Sequence, residues 1–377
     1  MKTILVLVML GLTAAGPVAA DGPPFFAAGA YHACFASSSK VRCWGNNGNG
    51  QLGDGYTVGS TRAVKVKLLP APILDVAASY DRTCALVSGG KVFCWGRVAT
   101  LDKDGHALGS LLAIKVKGLP QSVHGLSVGV THACVLDSLQ AVWCWGLNDR
   151  GQLGDGTKKP RTVPVRALSD PAAKVVASDG YTCVVLLAGG VSCWGRSHGN
   201  YADLTRNPDG LVVDSSMPRA IPGLETATDV SASGDFACAI LPGGAVSCWG
   251  ENDHGQLANG KTKGRSKPSP VAGLPESIQV VATANHACSL GLDGSVYCWG
   301  RGDHGQMGNG ETVERHTPVL VPVPAPAVKL VGAASGHWTV AFTADGSAWS
   351  AAKRASSRST ATPLALLSDS MVRTNSY

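Results

Sequence analysis

The sequence predicts an all-β protein: a seven-bladed β-propeller with about four strands per blade, its ring closed by the C-terminal strand. Three observations carry this. Trp-Gly recurs at Trp44, Trp95, Trp145, Trp194, Trp249 and Trp299, with spacings of 51, 50, 49, 55 and 50 residues, and a period near fifty marks a repeat architecture. Twelve cysteines fall into six pairs, each ending on the residue before a repeated Trp. The chain has 47 Gly and 21 Pro but only 15% charged residues, a balance that suits short strands joined by tight turns.

The elements follow in chain order. Residues 1–20 read as a secretory signal peptide: Lys2, an apolar run Ile4–Leu12, then small residues ending Val18-Ala19-Ala20. The run is short for a membrane span, so cleavage leaves no stable span, although an uncleaved anchor is the alternative. Residues 21–350 form the propeller. The second repeat shows its strands: an alternating Val64–Leu68, a short apolar Ile73–Ala78, then Thr83–Val87 and Lys91–Gly96 joined by the hairpin signal Ser88-Gly89-Gly90. Radial closure of seven such units protects their sheet edges. The seventh copy, Gly336–Ser350, is worn, with Thr339 and Ser350 where cysteines stand elsewhere. Residues 351–377 are a basic tail containing "TPLALL" at 362–367. The mature chain enters at "FFAAG" without a Val64–Leu68-like strand before it, so the tail strand is expected to complete the first blade.

The pairs Cys34/Cys43, Cys84/Cys94, Cys134/Cys144, Cys183/Cys193, Cys238/Cys248 and Cys288/Cys298 each flank one expected hairpin turn. Opposed residues of antiparallel strands lie within disulfide reach, and a leader implies an oxidising compartment. Zinc sites need tighter ligand groups such as C-x2-C, which the chain lacks. Six intra-blade disulfides are expected, with no metal and no cofactor.

"GQLGDG" at 50–55 and 151–156, "GQLANG" at 255–260 and "GQMGNG" at 305–310 follow the Trp-Gly at constant phase. Together with the H-x-C…C-W-G hairpin they resemble the regulator-of-chromosome-condensation repeat family, from about Phe25 to Ser350. The resemblance implies a seven-bladed propeller. The family's founding member is an exchange factor for a small GTPase, a role ill suited to a secreted, disulfide-bonded chain. The secreted bacterial members, among them a β-lactamase inhibitor of similar repeats, are binding surfaces.

Local motifs yield to the repeat. Gly255–Thr262 matches G-x4-G-K-[ST], but prolines follow where a phosphate-binding loop opens a helix. Gly195–Gly199 matches G-x-S-x-G without the strand-to-helix turn of a nucleophile elbow. His32, His132, His286 and His337 share one phase with Arg82, Tyr181 and Phe236; no metal ring accepts that mixture, so the slot reads as packed core. His254 and His304 read as surface turns. Without the leader and the basic tail the body's net charge is about +2, too small for a nucleic-acid field.

The leading reading is a secreted, periplasmic or cell-surface propeller that binds a protein or surface polymer and catalyses nothing. A propeller enzyme acting on a polysaccharide or small metabolite is the alternative. A structural or adhesive protein is a third reading, and an exchange factor comes last. The residues before each H-x-C slot vary, and they are expected to ring the central opening on one face. Tyr31, Tyr80, Asp81, Asp179, Asp235 and Asn285 are the candidate partner contacts. The aromatics would be anchors, and the carboxylates would favour a basic partner. Ordinary solvent-exposed turns, varying for want of constraint, are the competing account.

Overall fold

In the computed structural model, residues 25–101, 107–196, 214–333, 336, 338–345, 347–351, 359–360 and 362–364 are described. The expected leader, the Ser197 motif and His337 lie outside them. The described residues form seven antiparallel sheets of four strands each, and one two-stranded sheet. In blade 1 the inner strand is Phe25–Ala28, followed by His32–Ser37, Lys40–Gly45 and the outer strand Ser60–Lys65. The inner strands of blades 2 to 7 are Ile73–Ser79, His124–Val128, Ala172–Ala177, Asp229–Ser233, Ser277–Ala282 and Ala327–Gly332. Hydrophobic clusters sit mainly between neighbouring blades; one joins Ala27, Cys34 and Leu52 to Val76, Ala85 and Trp95.

All six expected disulfides form, one in each of blades 1 to 6. Cys34–Cys43, Cys84–Cys94 and Cys134–Cys144 staple blades 1, 2 and 3, with Cα atoms 4.1, 4.0 and 4.2 Å apart. Cys183–Cys193, Cys238–Cys248 and Cys288–Cys298 staple blades 4, 5 and 6, at 4.1, 4.0 and 4.1 Å. In every pair the two residues are directly opposed in register on the second and third strands. Each closes a loop of about ten residues, which is worth about 2–3 kcal/mol in the chain-entropy account.

The two recurrent motifs pack against one another across blades. Trp194 of blade 4 is fully buried, and its Nε1 donates to the Gln152 carbonyl of blade 3 at 3.0 Å. Gly154 lies so close to the same indole that a Cβ there would fall 2.5 Å from Nε1, at a φ of +69°. The G-Q-L-G turn is therefore the receptor for the next blade's tryptophan; its second glycine takes a positive φ, and blade 5 places Ala258 there, at φ +50° and packed in the cluster of Trp299. Trp95 on Gln51 and Trp299 on Gln256 repeat the contact.

Two expectations are corrected. First, the strand that follows each Trp-Gly turn is the outer strand of the same blade, so Ser60–Lys65 already completes blade 1. The tail does form a strand, at Thr362–Leu364, but it pairs with Ala348–Ala351 as the outer strand of blade 7. Each G-Q-L-G-type loop bonds the start of the next blade's outer strand: Gly55 N to Leu111 O, Gly156 N to Ser216 O, Gly260 N to His316 O. Blade 6 does the same when Asn309–Gly310 pair with Ser359–Thr360, which delivers the tail to blade 7. The ring then closes by packing. Phe26 of blade 1 meets Phe342 and Trp338 of blade 7 edge-on, at 5.4 and 6.1 Å.

Second, the register of blade 7 places Val340 opposite Ser350, so Val340 holds the cysteine position. Thr339 precedes it, and Trp338, not His337, fills the histidine slot. The worn repeat has one extra residue between its His and its Asp-Gly-Ser, and the hairpin register follows the latter.

Candidate functional site

The inner strands all run toward one face, called here the upper face, and turn there before the second strand. These turns surround the central channel. Neighbouring turns are tied by backbone hydrogen bonds: Ala30 N to Tyr80 O at 3.1 Å, Val130 N to Ser178 O at 3.3 Å, Ala284 N to Gly336 O at 3.1 Å. The turn residues are thus held at fixed spacing across blade seams.

Beneath the turns, the histidine slot is a seam between blades. His32 Nε2 is 2.7 Å from Thr83 Oγ1, His132 Nε2 is 2.7 Å from Thr182 Oγ1, and His286 Nε2 is 2.9 Å from Thr339 Oγ1. Thr182 Oγ1 donates its own proton to the Gln152 carbonyl at 2.8 Å, so His132 must donate from Nε2. The same carbonyl accepts from Trp194. Burial holds His32 down to about 4 and His132 to about 3; both are neutral structural groups. Where the slot is not histidine, the following blade has no threonine. Arg82, Tyr181, Phe236 and Trp338 precede Ala133, Ala237, Ala287 and Ala33 in ring order. The slot is packed core, as its mixed composition indicates, and its pairing with the next repeat is a rule that residue-by-residue reading missed. The signal was present in the sequence: "HAC" is answered by "TC" or "TV" one repeat later.

The half-cystines are buried within the blades. Cys43, Cys94, Cys144, Cys193, Cys248 and Cys298 are buried on the third strands, as are their partners Cys34, Cys84, Cys134, Cys183, Cys238 and Cys288 on the second. They are structural cross-links.

The six candidate contacts separate by environment. Tyr31 is 66% exposed and Tyr80 40%. Their rings meet edge-on at 6.4 Å across the seam of blades 1 and 2, so the turns bring together two aromatics that the sequence places 49 residues apart. Asn285 is half-buried. The carboxylates each have a partner. Asp81 is buried and accepts from Asn49 Nδ2 at 3.0 Å; burial raises its pKa and Arg97 and Arg82 oppose that shift. Asp179 and Asp235 lie 3.4 and 3.8 Å from the same Arg196 Nη1. Each carboxylate meets a cation or donor because the loop after Trp-Gly leaves from the same face and brings those groups with it.

That loop is organised by Asn47, Asn148 or Asn252, all buried. Asn148 Oδ1 accepts from Leu153 N, and its Nδ2 donates to Asp155 and the Thr157 carbonyl. The P-loop-like Gly255–Thr262 is one of these loops: Asn252 donates to the Lys261 and Lys263 carbonyls and no helix follows. His254 and His304 stand on the upper face within such loops, bonded to Glu314 and Asp303.

The channel itself encloses about 230 Å³ lined by the inner strands. Small side chains dominate, such as Ala27, Ala77 and Ala177. Its Ser127 and Ser231 hydroxyls accept the Ala177 and Ala282 amides of neighbouring blades at 2.9 Å, which ties adjacent inner strands together.

Two models of the regulator of chromosome condensation (RCC1) repeat match this chain. One covers residues 141–185, 243–290 and 293–342, the other 26–51, 73–97, 123–152, 227–256 and 278–306. Together they span more than half of it. The probable E3 ubiquitin-protein ligase HERC4 of Homo sapiens is 30% identical over 246 residues, covering 63% of this chain and 18% of its own length. The E3 ubiquitin-protein ligase HERC2 of Homo sapiens is 27% identical over 242 residues, covering 61% and 5%. The chain thus spans less than a fifth of these curated relatives. Among solved structures, human WBSCR16 superimposes with a TM-score of 0.72 at 20% identity, over 82% of this chain and 84% of that one. Yeast RCC1 (Prp20), solved bound to Kap60, gives 0.72 at 18%, over 82% and 78%. At these identities the likeness is one of fold.

Proposed function

Since the chain belongs to the regulator of chromosome condensation repeat family, whose propellers are a protein-binding kind of module, we propose that it is a secreted, non-catalytic binding propeller that grips a protein partner with the upper face around the channel. The observation that carries this reading is the Tyr31–Tyr80 pair. Two exposed aromatics on adjacent blades, on turns fixed by the Ala30–Tyr80 backbone bond, offer rigid contact area at low entropic cost, the usual character of an interface anchor. Asp179 and Asp235 share the single Arg196, so a basic partner would still find a partly compensated negative patch there. Six disulfides fit an oxidising compartment, and the apolar leader at 1–20 would deliver the chain there.

The test begins with capture of partners from the native secretome on immobilised residues 21–377. Tyr31→Ala with Tyr80→Ala should then weaken the captured complex by about 2 kcal/mol, roughly thirtyfold, at unchanged melting temperature. The loops bearing His254 and His304 share the upper face, so the control belongs on the opposite face, at the exposed hairpin tip Leu139. Equal loss from Leu139→Ala, or none from the tyrosine pair, would reject the face.

A further inference from the structure

The formal charge of the chain is unevenly distributed around the ring. Residues 25–123, which form blades 1 and 2, carry eleven Lys and Arg against five Asp and no Glu, whereas residues 124–350 carry sixteen against nineteen Asp and Glu. Such asymmetry points to a charged partner. The repeat shows where the surplus sits. In the outer strands, Lys65 stands opposite Arg42, Lys115 opposite Phe93 and Arg166 opposite Trp143. These are one register position in blades 1, 2 and 3. Blades 4, 5 and 6 place Ala220, Pro270 and Leu320 there. Two residues on, past Val66 and Val116, blades 1 and 2 add Lys67 and Lys117, where blades 3 to 6 have Leu168, Pro222, Ala272 and Pro322. Lys65, Lys67, Lys115, Lys117 and Arg166 are all exposed.

These cations are also unspent. Several basic residues elsewhere on the ring meet acids: Arg161 with Asp155 at 2.9 Å, Lys174 with Asp229 at 2.5 Å, Arg301 with Asp303 at 2.7 Å. Among the described residues Lys65, Lys67, Lys115 and Lys117 have no ion pair, and Lys65 directly faces Arg42 across two strands. Like charges so opposed destabilise a sheet. The Lys67 ammonium lies 4.8 Å from the centroid of the Tyr56 ring, which is itself 61% exposed.

We propose that this outer wall of blades 1 to 3 is a second binding surface, separate from the upper face, for a linear acidic polysaccharide bearing carboxylate or sulfate groups. Repeating cations at one phase of a repeat match repeating anions along a chain. Lysines act as hydrated point charges rather than the bidentate forks that read bases or phosphates. Tyr56 beside Lys67 offers a flat apolar surface for a pyranose ring next to a cation for its acid group. The reading does not depend on the tyrosine pair or on any protein partner.

The experiment measures binding of residues 21–377 to polygalacturonate, dextran sulfate and neutral dextran by titration calorimetry at low and moderate salt. The carboxylate and sulfate polymers distinguish the two sources of charge. At least one acidic polymer should bind, with affinity falling as salt rises, and dextran should not. Replacing Lys65, Lys67, Lys115 and Lys117 together by Gln should lower that affinity at least tenfold and flatten its salt dependence. Arg150→Gln with Lys158→Gln, on paired cations of blade 3, should leave it unchanged. The quadruple variant should melt no lower than the parent, since repulsion against Arg42 is relieved. Failure of both acidic polymers to bind at low salt, equal loss from the blade 3 control, or equally tight binding of a DNA duplex of similar length would overturn the proposal.

Discussion

His32 Nε2 reaches across the seam between blades 1 and 2 to within 2.7 Å of Thr83 Oγ1, and Thr83 in turn reaches back to the Gln51 carbonyl of blade 1 at 3.3 Å. The bond therefore runs out to the neighbouring blade and returns. In an environment this dry, each donor in the chain needs the next group as its acceptor.

Removing the acceptor should cost more than removing both partners. Thr83→Ala leaves a buried imidazole N–H unpaired and should destabilise by about 1–3 kcal/mol. Adding His32→Phe to Thr83→Ala should recover much of that loss, because Phe236 followed by Ala287 already occupies the same seam between blades 5 and 6. Denaturant midpoints of the two single variants and the double variant close the cycle. A double variant no better than the sum of its parts would mean that the pair is not coupled.

The same histidines set the acid limit of stability. Their folded pKa values, about 4 for His32 and about 3 for His132, lie below the unfolded value near 6.5. Between those values the unfolded chain binds more protons. Stability is thus full above pH 6.5 and falls as the pH drops toward 4, by up to about 3 kcal/mol per buried histidine. Asp75, which burial raises to about 6, binds a proton in the folded state first and offsets part of the loss. Melting temperature should decline from pH 7 to pH 4.5, and less steeply in the His32→Phe, Thr83→Ala double variant. An identical slope in both would refute the assignment.

Each cystine should behave as an independent staple. Cys288→Ser should expose one new thiol, and peptide mapping should place the label on Cys298, its register partner. A label on any other cysteine would show pairing between blades. The loss of one staple should cost about 2–3 kcal/mol, read as a lower denaturant midpoint.

Deleting residues 359–377 should unprotect blade 7 rather than blade 1. Hydrogen exchange should accelerate at Ala348–Ala351, whose partner strand is removed, and stay slow at Lys40–Gly45, which is covered by Ser60–Lys65. Faster exchange at Lys40–Gly45 alone would restore the tail to blade 1.

Gly154→Ala should destabilise blade 4's seam as it stands, although blade 5 accommodates Ala258 at the equivalent position beside Trp299, so the cost measures how far Trp194 must shift. The added carbon meets the Trp194 indole, and at a φ of +69° a Cβ is strained, as it is at Ala258. Gly223→Ala, where nothing lies within 4 Å but φ is also positive, isolates the backbone share of the cost.

The sequence alone determined the features that recur in phase. Repetition of Trp-Gly every fifty residues, with the worn seventh copy at Gly336–Ser350, fixed the number of blades. Cysteines nine or ten residues apart on one hairpin, from Cys34–Cys43 to Cys288–Cys298, fixed their own pairing. Both depend on local geometry that a repeat states many times over. Tertiary structure decided what depends on a neighbour. The Ser60–Lys65 strand reads equally well as the last of one unit or the first of the next, and only its pairing with Lys40–Gly45 assigns it; the tail strand is misplaced from sequence for the same reason. Blade 7 could be aligned from its histidine or from its Asp-Gly-Ser, and the hairpin register chose the second. Asp81 and Asp235 read as free acids because Asn49 and Arg196, which meet them, come from distant parts of the chain. A periodic sequence specifies its unit through short-range geometry, but the energy that joins the units lies across seams between residues about fifty positions apart, and those contacts exist only once the ring has closed.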